Sequence, residues 1–348
     1  MRRACLVLLA AAGLALPLRA AGGVDVHVNE AAKRVDITID GKPFTSYIWP
    51  STLKKPVLYP IRSAEGHLIT RGFPLDPRPG ERVDHPHHVG LWLNHGNVNG
   101  LDFWNNSDAI PAADAPKMGT IYHRRIVEAK SGETGVLVVE TAWMTPKNTQ
   151  ILAETTRFVF RGGAGSRTID RITTLTALDD KVVFKDSKEA FIGMRLTRAL
   201  EQPADKPETF TDASGRATAV PVLDNTGVTG HYVSSEGKEG DAVWSTRGKW
   251  TLLGGVVEGE PITLAMLDHP SNPGYPTHWH ARGYGLFAAN PLGDKELGES
   301  TSFDYTLQPH QSVTFRYRIL ILSAAPSRDR IERESVAFAR ESTPASSR

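Results

Sequence analysis

Cysteine is nearly absent from this chain of 348 residues: the only one is Cys5. It lies in an apolar run from Ala4 to Leu18, preceded by Met1-Arg2-Arg3 and followed by the small residues Ala20 to Gly23. That is the three-part pattern of a secretory signal peptide, so residues 1–22 are expected to be removed and the protein to act in the periplasm or as a secreted protein. The mature chain then has no thiol, which excludes disulfides, cysteine nucleophiles and thiolate metal sites. Any metal would need histidine, carboxylate or amide ligands. The signal run is short for a bilayer span, and no later stretch approaches the ~20 apolar residues that a transmembrane helix needs. A charge of one sign is lacking too. Lys and Arg number 40 and Asp and Glu 39, and loss of Arg2, Arg3 and Arg19 leaves 37 − 39 = −2. These charges are interspersed, so no nucleic-acid partner is expected. Also missing are a phosphate-cradling glycine loop, a G-x-S-x-G elbow and an H-E-x-x-H pair, and ATP chemistry and hydride transfer lose support accordingly.

Helical patterning is almost absent, and strand patterning is broad. Val313, Phe315, Tyr317 and Ile319 alternate with Thr314, Arg316 and Arg318, the period-two signature of a strand with one buried face. Similar β-rich runs are read at Val35 to Ile39, Gly135 to Trp143, Thr155 to Phe160, Thr168 to Leu175, Lys188 to Thr197, Ala242 to Arg247 and Ile262 to Asp268. Clusters of Gly, Pro, Asn and Asp punctuate them, with 31 Gly and 23 Pro overall. The expected class is all-β: one large antiparallel β-sandwich over residues 23–326, a short C-terminal helix over 327–340 and a disordered tail over 341–348. Gly72 to Asp84, Gly100 to Lys117, Glu201 to Arg216 and Pro270 to His280 are read as loops, where binding and catalytic groups commonly sit.

Seven of the twelve histidines fall in two segments, Asp84 to Gly96 and Asp268 to His280. Imidazole both transfers protons near neutral pH and ligates metals. If the first segment is a strand after Pro86, Val89, Leu91 and Leu93 face the core, while His88, Gly90, Trp92 and Asn94 face the other way. An imidazole, an indole and an amide on one face suit the apolar face and hydroxyl edges of a sugar ring. His95 and Asn97 continue into a turn. The alternative for His85 and His87 is that they anchor a proline-containing loop. In the second segment His278 and His280 share a face if the backbone is extended, with Arg282 following. The pairs His85/His87 and His278/His280 could together offer four nitrogens to a divalent metal if the loops converge; otherwise these are loop histidines near aromatic residues. No cofactor is required by the sequence. A third element, Lys188 to Arg195, has Ala190, Ile192, Met194 and Leu196 on an apolar face and Glu189, Phe191, Gly193 and Arg195 opposite. Glu189 there is a candidate acid or base, and Arg195 a ligand for substrate oxygens; a solvated strand face with scattered charges is the plain alternative.

These strings, with Asn94-His95-Gly96-Asn97-Val98-Asn99-Gly100, Asp268 to Pro273 and Tyr284 to Pro291, resemble a bacterial family of unknown function, DUF6807. Ala190 stands where the family string has Gly. Members often carry a methane-oxygenase (PmoA) label, which conflicts with a polar, β-patterned chain lacking membrane spans. The resemblance implies a β-supersandwich of the galactose-mutarotase type, a scaffold used by sugar epimerases, glycoside hydrolases and polysaccharide lyases. The expectation is an exported carbohydrate-active enzyme that binds a pyranoside, with His88, Glu189 and His278 or His280 transferring protons and Trp92, Asn94, His95, Arg195 and Arg282 binding substrate. Glycosidic cleavage, β-elimination and epimerisation all use such groups, and a divalent metal could assist. The rivals are a noncatalytic glycan-binding protein using the same groove and a structural sandwich in a surface assembly.

Overall fold

The computed structural model describes residues 23–341. The expected signal peptide, and the expected tail beyond residue 341, lie outside the described residues.

Two antiparallel eight-stranded sheets face each other. The back sheet is built from long strands in the spatial order His231–Ser234, Trp250–Val257, Glu260–Asp268, Ser312–Leu322, Ser166–Ala177, Gln150–Gly163, Gly135–Met144 and Thr120–Lys130. The front sheet runs Val24–Asn29, Arg34–Ile39, Lys42–Ile48, Val57–Leu58, Leu91–His95, Ala190–Arg195, Leu286–Asn290 and His278–Arg282. Their inner faces share one continuous core to which Leu91, Leu93, Ile192, Met194, Phe287 and Trp279 contribute from the front and Leu264, Met266, Phe315, Ile319 and Ile169 from the back. Strand alternation dictates this, because residues two apart return to the same face.

Each sheet also buries part of its outer face. On the back sheet Trp250, Leu252, Leu267 and Leu320 meet Ile331 and Phe338 of the helix Arg328–Ala339, whose first turn is capped by the Ser327 side chain. On the front sheet Trp92, Leu286 and Ala288 meet Trp104, Val57, Tyr59 and Val89. The register across the front sheet sets Trp92 opposite Gly193, Gly193 opposite Ala288 and Ala288 opposite His280. Two small residues thus separate an indole from an imidazole on one face. The next outward-facing row runs Arg195, Leu286, Arg282.

Four expectations change. The expected loop Pro270 to His280 ends inside the strand His278–Arg282. Ala242 to Arg247 is no strand: its first two residues belong to the 3-10 turn Gly240–Val243, and Ser245 takes a positive φ of 63°, so its β-rich composition does not make a ladder. The expected loop Glu201 to Arg216 contains the strand Glu208–Thr211, paired with Ala217–Val220. The strand expected over Lys188 to Thr197 is shorter, Ala190–Arg195, which leaves Glu189 at its mouth.

Candidate functional site

His88 is not part of the strand that follows it. Asp84 to Gly90 forms a turn in which the His88 amide donates to the His85 carbonyl (2.9 Å), and His85 takes a left-handed φ of 42°. Gly90 also has a positive φ of 57°, and a Cβ there would lie 2.1 Å from the Leu58 carbonyl oxygen, so only glycine fits. The turn layers aromatic rings on the front sheet. Tyr284 and His85 are parallel at 5.2 Å between centroids, His85 and His88 parallel at 4.9 Å, and His88 and Trp92 stacked at 5.1 Å. His87 and Trp104 meet His88 edge-on at 4.3 and 5.6 Å, and Trp104 reaches across to His280, stacked at 6.3 Å.

Asp84 anchors the turn. Its carboxylate accepts two hydrogen bonds from Arg195 Nη2, at 2.6 and 2.9 Å, another from Arg71 Nη1, and lies 3.0 Å from His85 Nδ1. Both arginines are fully buried, and Arg71 also donates to the carbonyls of His85 (3.1 Å) and His88 (3.3 Å). Burial alone would raise the Asp84 pKa; the His85 hydrogen bond and the two guanidiniums overcome it and hold the carboxyl far below its ordinary range.

These contacts assign the imidazole tautomers. Arginine can only donate, so the 3.3 Å contact from Arg195 Nη1 makes His88 Nδ1 an acceptor and puts the ring proton on Nε2. That Nε2 is buried without a hydrogen-bond partner among the described residues. Burial, then His87 and Arg195, push the His88 pKa far down, so the ring stays neutral and serves as an N–H donor rather than a base. His85 has the opposite arrangement: Nδ1–H donates to ionised Asp84, which leaves Nε2 bearing the lone pair, on a side chain 42% exposed.

Glu189 and His280 lie near enough to His85, Arg282 and Lys188 for those charges to act on them, with Lys188 4.0 Å from Glu189. Burial raises the Glu189 pKa, while Lys188, His85 and Arg282 are close enough for their charges to oppose that shift. His280 is buried and pushed down to about 3 by desolvation, then by Arg282; its ring bonds to the Lys188 backbone and its Nδ1 has no partner. Beside this group, a cleft of about 570 Å³ is lined by Leu53, Val57, Phe73, Leu75, Asn106 and His87. Lys55 also lines it, donating to the His87 carbonyl at 2.8 Å with an amine that burial lowers to about 7.

The structure thus gathers His85, His87, His88, Glu189, Arg195, His280 and Arg282 on one face. Four other residues sit differently. Trp92 is fully buried, covered by His88 and Trp104, so it is the floor beneath the site and has no face free for a sugar. Asn94, also fully buried, donates to the Phe103 carbonyl at 2.5 Å and holds the loop that delivers Trp104. His95 points inward against Phe184 and Phe191, with Nε2 2.7 Å from the Lys185 carbonyl. His278 is held apart by the Ser245 carbonyl (3.1 Å from Nδ1) and Glu299 (3.3 Å from Nε2). The four-nitrogen metal arrangement is therefore not assembled: among the described residues, no three His, Cys, Asp or Glu are placed to hold a metal ion. Asp84, Arg71 and Tyr284 are not among the candidates that the sequence offers. Asp84 next to His85 was the one visible signal; Arg71 and Tyr284 come from irregular segments with no periodicity.

The family model for "Family of unknown function (DUF6807)" matches residues 34–335. Similar solved structures include an α-galactosidase from Lactobacillus brevis (12% identity, TM-score 0.43, covering 86% of this chain and 40% of that one). They also include a galactose mutarotase-like protein from Clostridium acetobutylicum (10%, 0.40, 86% and 98%) and a putative aldose 1-epimerase from Escherichia coli K12 (11%, 0.34, 86% and 98%). The chain spans about two fifths of the length of the α-galactosidases it matches. No curated protein matches it. At these TM-scores the likeness is loose, and the chemistry of the site has to be read from its own residues.

Proposed function

The chain belongs to DUF6807, a family of unknown function, and we propose that it is a carbohydrate-active enzyme that acts on a pyranoside by acid–base chemistry on the outer face of the front sheet. The observation that carries this reading is the Asp84–His85 pair beside Glu189. An ionised carboxylate fixes one imidazole tautomer, and burial raises the pKa of a second carboxyl, Glu189. His85 Nε2 and Glu189 then serve as base and acid on either side of a reacting carbon or glycosidic oxygen, as cleavage, β-elimination and epimerisation all require. His88 donates its Nε2–H to a substrate oxygen where negative charge develops, a role that a permanently neutral imidazole fills. The proton carrier of the first segment is thus His85 rather than His88. Arg195 and Arg71 are positioning residues that act through Asp84. The signal-like residues 1–22 support action in the periplasm or outside the cell.

The test is product formation from a panel of pyranosides by the wild type and by His85→Asn and Glu189→Gln. Asparagine tolerates the left-handed backbone at position 85, so the fold is retained. Each variant is expected to lose roughly 10²- to 10⁴-fold in turnover with an unchanged melting temperature. Full activity in both variants refutes the scheme. Saturable binding without product identifies a noncatalytic glycan-binding protein instead.

A further inference from the structure

The exposed side of the site holds more positive charge than its own contacts use. Arg71 and Arg195 share Asp84, Arg82 and Arg198 share Glu201 at 2.7 and 2.5 Å, and Arg247 pairs with Asp294 at 2.7 Å. Arg282 differs from all of these. Its guanidinium lies over the Trp244 ring, 4.2 Å from the centroid, and makes no hydrogen bond or ion pair among the described residues; its Nε is buried. Beneath it the Trp244 Nε1–H, a group that can only donate, is also buried and unpartnered. Lys188 adds another cation, 4.0 Å from Glu189. Arg195 and Arg282 end one register row through Leu286, roughly 10 Å apart at two strand spacings.

We propose, building on the carbohydrate reading, that the sugar is an acidic one, a uronate whose carboxylate is gripped by Arg282 with the Trp244 N–H beside it. A planar guanidinium seated over an indole presents the paired donors that match a carboxylate and lack any internal acceptor. A neutral hexose would leave this buried donor set unused. A carboxylate in place of the 6-hydroxymethyl satisfies it with charge-assisted hydrogen bonds. A substrate carboxylate would act on the Glu189 pKa in the same direction as burial, upward, which suits a general acid.

The experiment is calorimetric titration of the full protein with matched methyl glycosides, glucuronoside against glucoside and galacturonoside against galactoside, in both anomers. The wild type should bind the favoured uronoside roughly ten- to hundredfold more tightly than its neutral partner. Arg282→Gln should remove most of that preference, weakening the uronoside far more than the neutral glycoside; Arg282→Lys should keep part of it. The wild-type comparison stands whether or not a variant folds. Equal affinity for acidic and neutral partners, or a preference that survives Arg282→Gln, overturns this inference and leaves the carbohydrate reading intact. Binding of neither class by the wild type overturns both.

Discussion

What an imidazole does here depends on which of its nitrogens is already engaged. His85 and His88 are stacked and three residues apart, yet Asp84 gives one a free lone pair and Arg195 gives the other a free N–H. Asp84→Asn removes the charge that sets the first tautomer and leaves two buried guanidiniums without their counterion. Denaturant unfolding should show a loss of about 3 kcal/mol, and turnover should fall along with it. An effect below 1 kcal/mol would show that the arginines do not depend on Asp84. Glu189 sets the alkaline limb. A general acid works below its pKa, and burial has raised this one, so kcat/KM should decline at a pH above the ordinary glutamate range. Glu189→Gln should abolish that decline along with most of the rate. Alternation in the sequence was enough to nominate Glu189, Arg195 and His280. It carries no information about depth or partner, so it does not separate Asn94 and His95, held by the Phe103 and Lys185 carbonyls, from residues free to meet a ligand.

At the scale of strands and helix, the regular pattern was largely legible, because period-two alternation reports burial directly. Ser312–Leu322 and Gly135–Met144 enclose the runs read from it. Ala242 to Arg247 has the composition of a strand but only the isolated bridge from Arg247 to His278, and pairing is a nonlocal property that composition cannot carry. The flat row Trp92, Gly193, Ala288, His280 was likewise invisible, since it exists only through register. Gly193→Ala tests it. An added Cβ would lie 2.6 Å from Cζ2 of Trp92, so the indole must shift. The expected cost is about 1 to 3 kcal/mol, with activity impaired through the displaced His88 ring. A variant of wild-type stability and rate would show that the floor is not tightly packed. On the opposite sheet Phe338→Ala should cost about 3 kcal/mol by cavity formation and leave kcat unchanged, because its cluster does not touch the site.

The molecule as a whole buries many of its imidazoles in neutral form. His87, His95 and His280 are pushed down to about 2, 4 and 3, and His88 well below its ordinary value, each chiefly by desolvation. Their folded pKa values lie below the unfolded value of about 6.5, so their contribution to stability is complete above that pH. It is lost as the pH falls, because the unfolded chain takes up protons that the folded chain refuses. Each contributes up to about 1.4 kcal/mol per pH unit within its window. Asp268, raised to about 7 by burial, works the other way between its unfolded pKa and about 7, as do Glu189 and Glu201, but His123, His269 and His278, also lowered chiefly by desolvation, add to the four rings. The melting temperature should drop steeply from pH 7 to pH 5; a flat profile would mean that these rings are hydrated.

The tryptophan floor has an optical consequence. Trp92 and Trp104 stand 5.4 Å apart with His88 against both, shielded from water directly under the proposed binding face. Their emission depends on the polarity and ring contacts at that one place, so a ligand that engages His88 should change the intrinsic fluorescence of the unlabelled protein. Substituting either indole by phenylalanine would show which one reports, making it possible to screen for ligands before any turnover assay exists.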